Sequence, residues 1–141
     1  MTLPPDLTAE ERQLLRDLDQ LKLAEERLRM PKLADKLVRP IYGVDGLFNH
    51  WRRAVEVLEQ HRTYMKQEFM NDLTCRDTLE ALVTAVPAPL RAKLRASLDP
   101  LDDRYRAASA YDDGVEFGLG PREPPPGWWW LRRPDPPPPG W

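Results

Sequence analysis

Residues 45–73 read DGLFNHWRRAVEVLEQHRTYMKQEFMNDL, and the spacing of their apolar positions decides the fold. At about 100° per residue, Leu47, Phe48, Trp51, Ala54, Val55, Leu58, Met65, Phe69 and Leu73 fall within a sector roughly 100° wide. Asn49, Arg53, Glu56, Gln60, Thr63, Gln67 and Asn71 occupy the opposite side. The pattern predicts one long amphipathic helix over 45–73. Asp45 is its expected N-cap, because a short carboxylate can accept from the free N–H groups of the first turn, and Gly43 and Gly46 loosen the entry. Arg62 falls in the middle of the apolar sector. There its stem is expected to cover the core while the guanidinium reaches the rim or meets a carboxylate of a neighbouring helix. A flanking stripe of His50, Val57, His61, Tyr64 and Glu68 widens the contact face and predicts packing against a second helix or the C-terminal tail. His50 and His61 are three turns apart, roughly 16 Å at the helical rise, too far to share one metal ion. No metal set and no cofactor are expected.

Upstream, Thr8 and Glu11 form a Thr-x-x-Glu capping box, which starts a helix running to about Arg29. Leu14, Leu18, Leu21 and Leu28 mark its expected buried face, with Glu25 where the next hydrophobe would stand. Pro31 ends it. Glu25 and Arg62 are both charges inside apolar seams, but an antiparallel pairing of the two helices would hold them apart. Residues 32–39 make a two-turn connector, closed by Pro40, which disfavours helix at Arg39.

Downstream, Thr74 to Asp77 resembles a capping signal that starts a helix through Leu79, Leu82, Val83 and Val86, ended by Pro87 and Pro89. A further helix uses Leu90, Leu94 and Leu98. Asp99-Pro100 then reads as an N-cap followed by proline at the first helical position, a restart carried on by Leu101, Tyr105 and Ala108. Asp102 and Asp103 fit the first turn of that restart, where the helix dipole favours acids, better than they fit a catalytic carboxylate pair. The helix is expected to end near Tyr111 to Gly114.

Nine of sixteen prolines and four of five tryptophans lie between Pro121 and Trp141, a composition that predicts polyproline II and turns. Each large aromatic buries on the order of 150–250 Å² when packed. Trp128, Trp129 and Trp130 therefore require a cover, either this chain's own helices, around His61 and Tyr64, or a partner. The expected architecture is all-α: a four- or five-helix bundle over 1–113, centred on the helix 45–73, with an irregular Pro/Trp-rich tail over 114–141 packed back on it.

Composition narrows the function. The chain has 141 residues, net charge −2 and 41% hydrophobic residues, so it suits one core and no polyionic partner. One cysteine excludes an internal disulfide, no apolar run spans a bilayer and the N-terminus lacks a leader pattern, which together predict a cytoplasmic protein. There is no phosphate-cradling glycine loop, no His-Glu-x-x-His and no nucleophile elbow, so no catalytic residue is expected. Cys75 beside Arg76 near the expected helix start reads as a small buried apolar residue rather than an activated thiol. Arg133-x-x-Pro136-x-x-Pro139 satisfies the form taken by SH3-type grooves, although so proline-rich a stretch matches it almost automatically. The Trp-Trp-Trp-Leu-Arg-Arg run is too short to hold a membrane alone.

The expected function is that of a non-catalytic protein-protein interaction protein, of adaptor, regulator or immunity/inhibitor type. Trp128, Trp129, Trp130, Arg132, Arg133, Trp141, His61 and Tyr64 are its candidate partner-binding residues, because Trp and Arg dominate interface energetics. The alternative comes from Leu33 to Leu37, the turn around Gly43, and Leu47 to Arg53. That order is similar to helix-turn-helix DNA-binding domains, which implies a DNA-binding regulator using 33–53. Several extra residues, Pro40 among them, stand where that family has a tight turn. Ten basic against six acidic residues between Lys22 and Lys66 give only modest phosphate-seeking charge.

Overall fold

Thr8 opens the first helix as its spacing from Glu11 dictates. Its hydroxyl accepts from the Glu11 N–H at 3.1 Å, and its own N–H donates to Glu11 Oε1 at 2.9 Å. The computed structural model describes residues 3–37, 40, 42–119 and 125–141. Among them four α-helices run in order, α1 Ala9–Arg29, α2 Val44–Glu59, α3 Lys66–Ala85 and α4 Ala88–Ala107. They are followed by a two-stranded antiparallel ribbon, β1 Ser109–Tyr111 with β2 Arg132–Pro134, and by a 3₁₀ turn at Trp128–Leu131 that leads into β2. The chain is mostly helical, and the ribbon is an addition to the expected all-α class.

The helix expected over 45–73 is two helices. Its break is a Schellman ending: His61 adopts φ 52°, its N–H donates to the Leu58 carbonyl at 3.2 Å, and the Arg62 N–H donates to Val57 at 3.2 Å. The apolar spacing stays in phase across 60–65, so periodicity alone carries no sign of the stop. An unbroken helix of this length would extend roughly 40 Å. Folding back instead lets Phe69 and Leu73 join Trp51 and Val55 in one core. Arg62 consequently lies exposed in the connecting loop, and Met65, at 63% exposure, is the N-cap of α3. The start is also capped differently. Gly43 is the N-cap, Asp45 sits in the first turn, and the Val44 N–H is taken at 3.0 Å by Asp19 Oδ1 from α1.

Two further boundaries shift for related reasons. The expected start at Thr74–Asp77 lies inside α3, where the Thr74 and Thr78 hydroxyls donate to the carbonyls four residues back. Asp99-Pro100 does not restart a helix, since α4 runs through Pro100. A proline inside a helix costs about 3 kcal/mol, but Leu90, Leu94, Leu98, Leu101 and Tyr105 bury along one continuous face that holds α4 together. It ends at Ala107, short of the expected 111, because Ser109 to Tyr111 are drawn into the ribbon.

The most extensive helix contact is α2 with α3, and α4 packs on both. On α1 the inward stripe is Leu15, Leu23 and Glu26, whereas Leu21 and Leu28 are 63% and 83% exposed. The expected leucine face is therefore rotated, with only Leu14 and Leu18 partly buried. Glu25 and Arg62 are both exposed, which removes the reason for pairing them. Residues 31–36 of the connector are turns, while 38, 39 and 41 lie outside the described residues.

His61→Gly is expected to raise stability by about 0.5–1 kcal/mol, because glycine accepts the left-handed conformation that costs an L-residue about 1–2 kcal/mol, less its greater unfolded-state entropy. Urea unfolding should show a higher midpoint at unchanged slope; a lower midpoint would contradict this ending.

Candidate partner-binding surface

The geometry around the C-terminal tryptophans begins with a buried charge. Arg76, in the middle of α3, is fully buried, and its Nε and Nη2 donate to Asp102 of α4 at 3.1 and 2.8 Å. Asp102 also accepts from Trp51 Nε1 at 3.0 Å, so one carboxylate ties α2, α3 and α4 together. The Trp129 ring lies 4.1 Å from the guanidinium carbon and covers it from the tail side, a cation–π contact in a desolvated setting. Trp129 is 4% exposed. A Cβ on Gly127 would come within 2.3 Å of its ring, so the turn entering the 3₁₀ segment accepts only glycine there without a shift.

Asp77, one residue after Arg76, holds two indoles. Trp129 Nε1 donates to its Oδ1 at 2.7 Å, and Trp130 Nε1 donates at 2.9 and 3.0 Å. Tyr105 donates from its hydroxyl to the Trp129 carbonyl at 2.9 Å, and burial pushes the Tyr105 phenol well above its ordinary pKa. At the end of the chain, Trp141 Nε1 donates to the Tyr64 carbonyl at 2.6 Å, and its ring meets Phe69 and Phe117. Arg132 bonds Ser109 and the Arg106 carbonyl, whereas Arg133 is exposed.

The candidate residues thus fall into two groups. Trp129 and Tyr64 are buried, and Arg132 is spent on the ribbon. Trp128, Trp130 and Trp141 are half-buried, and Arg133 and His61 are exposed. Trp128 stacks under Arg106, 3.9 Å from the guanidinium carbon. Trp130 lines a recess of about 550 Å³ with Lys66, Gln67, Met70, Asn71 and Thr74. Trp141 and Arg133 line a neighbouring one of about 320 Å³ with Glu116, Pro134, Asp135 and Pro137. Lys66 stands over the Phe117 and Trp141 rings and pairs with Glu116 at 3.2 Å. Lys66, Met70 and Asp77 give no sequence signal because the sequence sets the boundaries of α3 differently, and periodicity does not report what the flank of a helix lines.

On the other side of the α3 start, a recess of about 510 Å³ is lined by His50, Arg53, Met65, Gln67, Glu68, Asn71 and Asp72. Beneath it His50 Nδ1 lies 3.2 Å from Asp72 Oδ1, and Tyr64 donates its hydroxyl to Asp72 Oδ2. Burial raises the Asp72 carboxyl above the usual range, partly offset by His50 and Arg53. Cys75, one turn further along, is buried inside α3 and not at a helix start. Burial and the Asp72 charge push its thiol up to about 11, the opposite of activation. The segment similar to a helix-turn-helix places turns at 31–36 and the fully buried Trp51 on its second helix. No helix among the described residues is long and apolar enough to cross a membrane. No protein-family model, curated protein or solved structure matches the chain.

Two outcomes follow from the buried charge and its aromatic cover. Asp102→Asn removes the countercharge of Arg76 and is expected to cost about 3 kcal/mol, measured by chemical denaturation; a loss below about 1 kcal/mol would show that the pair does not organise the core. A chain ending at Pro121 uncovers Arg76, Phe117 and Phe69, and should melt roughly 10 °C lower or more and bind an apolar dye. An unchanged melting point would mean that the tryptophans contribute nothing to the fold.

Proposed function

We propose that this chain is a non-catalytic protein-protein interaction protein, an adaptor, regulator or inhibitor, whose partner seats against the half-buried tryptophans and the adjoining start of α3. The observation that supports this most is that Trp130 and Trp141 are immobilised by internal hydrogen bonds to Asp77 and the Tyr64 carbonyl while their rings still line two neighbouring recesses. An aromatic ring already fixed in place loses little side-chain entropy on binding, which is the usual obstacle to converting contact area into affinity. Trp and Arg are the side chains most often found to dominate such contacts. Thr74 and Arg133, both exposed, line the two recesses, one each, and supply a polar and a charged contact.

The buried members of the aromatic cluster serve as the platform, and Trp128, Trp130, Trp141, Arg133 and His61 are the residues a partner would touch. The division into a helical part, 1–113, and a C-terminal segment, 114–141, belongs to the same reading: the second segment carries the aromatic contact, and the first adds His61 and the start of α3 and holds it still.

The test is quantitative cross-linking and co-purification with the full chain and with a Thr74→Arg, Arg133→Glu double variant, whose exposed positions leave the melting point unchanged. The expected result is loss of the same partner proteins by about tenfold or more, as for a contact worth about 1.4 kcal/mol; full retention overturns the proposal. In parallel, fluorescence anisotropy on a labelled duplex at low salt should show no binding. A complex whose affinity collapses with added salt would replace this function with the DNA-binding alternative.

A further inference from the structure

We infer that His50, Asp72 and Cys75 form a binding site for one divalent transition-metal ion, with zinc the best match to the donors. Their ligand atoms, an imidazole nitrogen, a carboxylate oxygen and the Cys75 sulfur, all lie within 4.8 Å of one another. Two of them come from α3 at a spacing of three residues, which puts both on one helical face, and His50 faces them from α2. Because α2 and α3 form the most extensive helix contact, the three donors sit on a rigid frame and not on loops.

Tetrahedral zinc at about 2.0–2.3 Å from N, O and S donors sets them roughly 3.3–3.7 Å apart. The His50 to Asp72 separation of 3.2 Å already has this size, so closing the set requires the Cys75 sulfur to approach by roughly 1.5 Å at most, within the range of side-chain torsions. The surrounding contacts also suit a metal. The Tyr64 hydroxyl occupies Asp72 Oδ2 and leaves Oδ1 to coordinate, and the Tyr42 ring meets the His50 imidazole edge-on at 4.6 Å, fixing its plane. The recess of about 510 Å³ over His50 and Asp72 gives an ion its route in. Its Glu68 stands one turn before Asp72, and either that carboxylate or a water can complete four-coordination.

Charge balances at the three protein donors. The divalent ion displaces the Cys75 proton to solvent and forms a sulfur–metal bond, so thiolate and carboxylate together neutralise it. Burial raises the free thiol, which makes the proton expensive to remove without a metal; a bound ion reverses that penalty. This reading is independent of the partner-binding function.

The test uses the full chain, treated with a chelator, desalted and titrated with cobalt(II). The expected result is about one equivalent bound, with the near-ultraviolet charge-transfer band of a thiolate–cobalt bond, displaced by zinc. Cys75→Ala should abolish the band, and His50→Gln, at a side chain 29% exposed and therefore tolerant of change, should weaken binding about tenfold or more. Far-UV circular dichroism checks that each variant is folded, and the His50 variant keeps the test decisive if Cys75→Ala does not fold. Absence of stoichiometric binding, a complex without the thiolate band, or binding unaffected by His50→Gln overturns the site.

Discussion

Arg76 carries a formal charge into the centre of a small helical core, and the placement of the other elements follows from what is needed to keep it there. An isolated buried guanidinium is far too costly to persist, so it needs a countercharge and a cover over its faces, and here even Nη1 is left buried without a hydrogen-bond partner among the described residues. Asp102 meets two of the donors and also takes the Trp51 indole, which sets the rotation of α2 and α4 about α3. Trp129 covers the exposed face, which requires the chain to return after β1 and run over α3. Hydrophobic contacts alone would tolerate several rotations of these helices, whereas a bidentate pair shared among three of them tolerates few.

The tail's conformation is a consequence of the same requirement. Gly127 admits the Trp129 ring against the backbone, Asp77 accepts from both Trp129 and Trp130, and Arg132 closes the ribbon on Ser109. A segment whose composition favours polyproline II thus takes a 3₁₀ turn and a strand. The rings left half-buried are those not needed to cover Arg76: Trp130 lines a recess beside the first turns of α3, Trp141 lines one beside β2, and Trp128 packs under Arg106. Core formation and the candidate contact surface therefore draw on one aromatic cluster, divided by which ring lies over Arg76.

The split between α2 and α3 has a second effect. By folding α3 back along α2 it brings Asp72 and Cys75 opposite His50, residues 22 and 25 positions apart in the chain. Along one continuous helix those residues would stand roughly 30 Å or more apart. The polar cluster under the recess exists only because His61 turns the chain.

The sequence by itself determined that this protein is mostly helical, where α1 begins, that Leu47, Phe48, Trp51, Ala54, Val55 and Leu58 share a buried face, and that the tryptophans need a cover. These rest on local physics: a capping box satisfies two adjacent donors, and apolar periodicity reports which side of a helix avoids water. Only the tertiary structure decided where the central helix stops, that Thr74 and Pro100 lie inside helices, that Asp102 is a countercharge and not a dipole partner, and which tryptophans remain accessible. The countercharge and the accessible rings depend on groups distant in the chain, Asp102 beneath Arg76 and Asp77 under two indoles, and the helix boundaries depend on which faces the packed core buries. Local pattern carries no information about such a partner until the helices have packed.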